Sequence, residues 1–238
     1  PSLVDSMHEA FDDPYRHGRC PVATLVFAVS GPPAQQIDWR QIERRNSFAM
    51  VELLVEAGAD PNIDNIHGRP LCLCREEAVA RYLIEHGADI NLWHHNGGAP
   101  VYFSVWQKDP ERLRMQLRLG ANATQINPDN GSSALHSAAE VTPHPEHIND
   151  HRELIRILVE AGVDPNHRAG KDVQSDWGPI YQEDTALHMA AVLSVPPIIE
   201  TLLEAGCDPA TRNARGVTPL DLAREEDRDE DVCALLGA

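Results

Sequence analysis

Apolar residues recur along this chain with a helical period, in short bursts that each end at a glycine. Met50, Leu53, Leu54 and Ala57 fall at i, i+3, i+4 and i+7, on one face of a helix. Leu154, Ile157, Leu158 and Ala161 repeat that spacing. Gly58 and Gly162 follow as stop residues, because a helix often ends in a left-handed conformation that glycine adopts cheaply. Pro61 and Pro165 then prevent continuation. The phrases "LVEAGADPN" (54–62) and "LVEAGVDPN" (158–166) are thus helix ends with their exit turns. Looser copies stand at "LIEHGADIN" (83–91), "LRLGANAT" (117–124) and "LLEAGCDPA" (202–210).

Downstream of each exit lies a second pattern. "NIHGRPLCLC" (65–74), "HNGGAPVYFSV" (95–105), "DNGSSALHSAA" (129–139), "EDTALHMAA" (183–191) and "ARGVTPLDLA" (214–223) share a polar turn, a small or Thr residue, often Pro, then Leu and a short run rich in Ala. Proline suits the first helical turn, where its missing N–H would have no partner anyway. Small residues let that helix lie close to its neighbours. Each unit therefore reads as turn, helix, short loop, second helix and glycine stop.

"SALHSAA" (133–139), "TALHMAA" (185–191) and "TPLDLA" (218–223), each linked to a glycine-and-acid exit, resemble the ankyrin repeat family over roughly residues 20–238. The resemblance implies an all-α solenoid, since one such repeat cannot bury its apolar face without neighbours. The expected organisation is a single domain, 1–238. Residues 1–60 would be a divergent N-terminal repeat region, 61–210 the central repeats and 211–238 a capping repeat, about six repeats in all.

The stop glycines at 58, 87, 120, 162 and 206 are spaced by 29, 33, 42 and 44 residues, against about 33 for an ankyrin unit. The short interval reads as a cut in the connection between the helices around "LCLCREEAV". The long ones reflect insertions near 141–151, between the helices of one repeat, and 167–183, in the turn between repeats. A further irregular run, 31–48, precedes the first clear second helix.

Composition narrows the function. The chain has 37 acidic residues against 20 Lys and Arg, a net charge of −17. That argues against a nucleic-acid surface and suits a basic partner, whose encounter an acidic field accelerates. Five cysteines without framework spacing suit reduced thiols and a cytoplasmic setting. No stretch approaches the ~20 apolar residues of a membrane span. The opening "PSLVDSMHEAFDD" lacks the basic and apolar regions of a signal peptide. Phosphate-loop, dinucleotide, zinc-protease and serine-elbow motifs are absent, so no catalytic residue and no cofactor is assigned.

The resemblance implies binding through turn tips and the exposed side of the first helix. The residues so placed are Trp93, His95, Trp106, Gln107, Asp129, Glu140, Trp177 and Tyr181. Exposed Trp and Tyr are frequent interface anchors, although Trp93 or Trp106 could instead pack on an adjacent repeat. Trp177 lies in the second insertion, either a binding finger or a floppy loop. "HPEHINDH" supplies His144, His147 and His151 as weak metal candidates, against the plainer reading of a solvated polar loop. By the resemblance, His136 and His188 are structural. The expected function is a non-catalytic module binding a basic protein. The alternatives are an inhibitor or immunity-type protein covering a basic nuclease or toxin and, well behind, a metal-dependent enzyme built on the histidine insertion.

Overall fold

The computed structural model describes residues 48–56, 58–63, 69–94, 98–140, 145–170, 173–175, 178–180 and 183–237. They fall into two compact units, one up to residue 100 and one from 101. The first holds α1 (Phe48–Glu56), α2 (Pro70–Leu73) and α3 (Glu77–Glu85). α1 packs on α3, with Val51 and Leu54 buried on one side and Val79, Ala80 and Leu83 on the other. Phe48 meets Tyr82 edge to face at 5.3 Å, an arrangement the ring quadrupoles favour. The short repeat differs from expectation. Three residues, 74–76, still join α2 to α3, as three join α4 to α5, and the deletion has instead cut α2 to a single turn. That turn still buries all four of its residues.

The second unit holds α4 (Pro100–Trp106), α5 (Pro110–Arg118), α6 (Ala134–Ala139), α7 (Ile148–Glu160), α8 (Ala186–Leu193), α9 (Pro196–Glu204), α10 (Pro219–Glu225) and α11 (Glu230–Leu236). First helices stack in one row, α6 on α8 on α10, and second helices in another, α5, α7, α9 and α11. The helix sequences reflect this layering. In α7, Leu154, Ile155, Ile157 and Leu158 are all buried, because the helix touches α5, α6 and α9 at once. In α6 and α8 the residues between the rows are Ala138, Ala139, Ala190 and Ala191, all fully buried.

Gly58, Gly87, Gly120, Gly162 and Gly206 all take φ between +91° and +95°, as the stop reading requires. The constancy of the exit phrase comes from the hydrogen bonds just beyond each glycine. Asp60 Oδ1 accepts from Asn62 N–H at 2.8 Å, and the same turn closes at Asp89, Asn122, Asp164 and Asp208. The Asn side chain then reaches the next repeat. Asn62 donates to the Gly87 carbonyl and accepts from Asp89 N–H, and Asn166 does likewise to Gly206 and Asp208. One amide thus satisfies the unpaired carbonyl and N–H of the neighbouring helix exit.

Both insertions contain regular structure among their described residues. In the first, residues 145–151 do not form a loop: a 3-10 turn at Pro145–His147 runs into α7, which extends to 13 residues. The second forms an antiparallel hairpin of β1 (Val173–Ser175) and β2 (Gly178–Ile180), an addition to an otherwise helical stack among the described residues. Its root is pinned to the preceding turn, where Gly170 N–H donates to the Asn130 carbonyl and His167 Nε2 lies 2.8 Å from the Gly131 carbonyl. Across the root, Arg168 pairs with Glu183 at 2.8 Å. Gly131 has φ +71°, and a Cβ there would meet Gly170 N at 2.5 Å.

The two glycine classes separate on substitution. Gly162→Ala meets open space and should cost only the left-handed backbone, about 1–2 kcal/mol. Gly131→Ala adds a backbone collision and should cost clearly more in urea unfolding. Equal losses would contradict the close approach of the hairpin root.

Candidate functional site

Burial and committed hydrogen bonds remove His136 and His188 from chemistry. His136 is 2% exposed and His188 fully buried. Nδ1 of His136 faces the Ser133 backbone N–H at 3.2 Å and its hydroxyl at 2.8 Å, so it accepts, and Nε2–H donates to the Asp184 carbonyl of the next repeat at 3.0 Å. His188 does the same between Thr185 and the Val217 carbonyl. Burial pushes His136 down to about 4 and lowers His188 as well, outweighing their carbonyl partners. In the last repeat Asp221 occupies this place and accepts from Thr218. In α4 it is Tyr102, whose hydroxyl lies 2.7 Å from the Gln125 carbonyl and 2.9 Å from that of Ser132. In α2 it is Cys72, buried like Cys74.

Of the weak metal candidates, His144 lies outside the described residues. His151 is 2% exposed, and its Nδ1 donates to the Ala138 carbonyl at 3.0 Å. His147 is half-buried beside Asp150 and Glu146. Among the described residues no group of three or more His, Cys, Asp or Glu is placed to hold a metal ion, and no helix is long and apolar enough to cross a membrane.

Among the surface candidates, Trp93 lies in the first unit, half-buried, with its carbonyl accepting from the Arg69 guanidinium. The others described belong to the second unit. Trp106 ends α4 with 64% of its surface exposed, edge to face with Phe103 at 6.1 Å. Gln107 follows it, half-buried. Asp129 stands exposed on the turn before α6. Glu140 closes α6, half-buried, and burial alone raises its carboxyl above the usual range. His95, Trp177 and Tyr181 lie outside the described residues.

Two features escape a reading of the sequence. Leu193, at the end of α8, is 39% exposed. A depression of about 350 Å³ opens beside α5 and α7, lined by Arg114, Asn149, Arg152, Glu153, Arg156, Ile157 and Glu160. Six of these seven recur at helical spacing along α7, a signal present in the sequence as a polar stripe broken only at Ile157.

Residues 130–169 and 182–214 match the ankyrin repeat family model. These two segments are ankyrin repeats. It is 25% identical over 183 residues to the B-cell lymphoma 3 protein homolog of Mus musculus, covering 74% of this chain and 37% of that one. A 44-residue stretch is 54% identical to the NF-kappa-B inhibitor alpha of Sus scrofa, 18% of this chain and 14% of that. The E3 ubiquitin-protein ligase KEG of Arabidopsis thaliana is 29% identical over 200 residues, 79% of this chain but 11% of the ligase. The chain therefore spans well under half the length of these relatives.

Neutral buried histidines make the ankyrin stack acid-sensitive, with a definite sign. The unfolded chain binds protons near 6.5, whereas folded His136 resists them until about 4, so stability present above pH 6.5 is lost as pH falls toward 4. His136 alone contributes on the order of 3 kcal/mol across that window. Urea midpoints should drop between pH 7 and 4.5, and His136→Asn should flatten the drop while lowering stability at pH 7. A parent and variant with parallel pH profiles would refute this account.

Proposed function

We propose that this chain is a non-catalytic protein-interaction module that holds a basic protein partner across its first-helix ends and turn tips. The observation that carries the reading is Trp106, a large indole left 64% exposed at the end of a helix whose other residues are buried. Aromatic anchors of this kind supply much of the energy of protein interfaces. The basic character of the partner rests on the net charge of −17 and on carboxylates such as Asp129 exposed at a tip. Binding would be rigid recognition, with no bond made or broken.

A second reading is favoured by one observation, the 54% identity to a protein named as an inhibitor of NF-kappa-B. In that version the chain covers a functional surface of its partner and silences it. An adaptor instead keeps two partners bound at once.

Affinity capture on the full chain should retain one basic protein in stoichiometric amount. Trp106→Ala should reduce that retention at least tenfold, while the association rate falls steeply with added salt. Identical recovery by both baits would overturn the Trp106-centred reading. Loss of the captured protein's own activity on binding separates inhibitor from adaptor.

A further inference from the structure

Glu140 and Trp106 occupy the same place in successive repeats, each six residues after the first residue of its helix, Ala134 and Pro100. The two repeats are tied together at the opposite ends of these helices, where the Tyr102 hydroxyl donates to the Ser132 carbonyl. The equivalent places further along are Val192 and Glu225. Glu225 is neutralised within the chain by Arg215 at 2.9 Å. Glu140 differs: its carboxylate has no hydrogen bond or ion pair to any described residue, although it is half-buried. Lys108, two residues beyond Trp106, pairs with no described carboxylate.

From this juxtaposition we propose that Trp106 and Glu140 form a cation subsite that takes one arginine or lysine side chain of the partner. The proposal rests on the reading of this face as an interface and deepens it by naming the chemistry recognised. The indole face attracts a cation through its quadrupole. A carboxylate withdrawn from water without a counter-ion gains most when a ligand supplies one. At the roughly 9 Å spacing of packed helices, one guanidinium or ammonium group would bridge ring and carboxylate at equivalent places of successive repeats. The burial that raises Glu140 in the empty site would be offset by the arriving charge, so its carboxyl should titrate lower when the subsite is filled.

The test uses the full chain and a capped pentapeptide, Ala-Ala-Arg-Ala-Ala, with a citrulline version as the uncharged control, followed by NMR. The arginine peptide should shift the Trp106 indole signal and the Glu140 carboxyl carbon together and move the Glu140 titration to lower pH. The citrulline peptide should do neither. Glu140→Gln and Trp106→Leu should each weaken binding about fivefold, and the double variant should lose less than the product. Equal binding of both peptides, or no change in Glu140→Gln, would overturn the subsite. A protein partner that is lost with Trp106→Ala but indifferent to Glu140→Gln would leave the interface standing and remove only the cation subsite. No partner at all, with the peptide still binding, would remove the interface reading and keep the chemistry.

Discussion

Everything in this molecule depends on how one repeat hands its unsatisfied groups to the next. A helix pair of this size has an apolar face it cannot bury and helix ends with unpaired carbonyl and N–H groups. The apolar faces meet in two rows, α6–α8–α10 and α5–α7–α9–α11. The backbone groups are met by side chains that cross the boundary: Asn166 at the exit turn, His136 and His188 at the first-helix start. A side chain anchored in one repeat and hydrogen-bonded to the next sets register as well as energy. That is why the motif letters are so constant while the helices between them vary.

The same commitment decides where function can lie. Asp164 is engaged in closing its own turn, and Asn166 and the inner histidines in holding neighbours, so they are poor candidates for recognition despite their polar chemistry. On the proposed reading the freedom lies at first-helix ends and tips, at Trp106, Asp129, Glu140 and Leu193. A rigid row of such positions gives a preorganised surface, which limits the entropy lost on binding. The hairpin of β1 and β2 follows a root that is itself fastened to the previous turn.

Much of the fold is legible in the sequence because its signals are local and stereochemical. A glycine after an i, i+3, i+4 run forecasts a left-handed stop, and five such glycines have that backbone. Lengths are harder. The shortened repeat could lose residues from a loop or a helix, and periodicity in "LCLCREEAV" does not distinguish them, whereas the structure trims α2. "HPEHINDH" reads as a solvated loop because Pro143 and Pro145 break the pattern. Yet Pro145 starts a turn that feeds α7, and burial of His151 against Ala138 follows from tertiary packing. The cluster around Arg152 is hidden for another reason: its residues read as an ordinary polar face until α5 is set beside α7. The site residues themselves carry a weaker signal, since an exposed tryptophan and a packed one look alike in sequence.

Residues 101–237 should be stable only as a coupled stack, which native-state hydrogen exchange can measure helix by helix. Amides of α6, α7, α8 and α9 should share one opening free energy close to that of global unfolding, with α10 and α11 opening at lower cost because, among the described residues, they pack on one side only. Asn166→Ala should lower the shared value for helices on both sides of that turn. Separate opening energies for each repeat, or an Asn166→Ala effect confined to its own turn, would contradict the account.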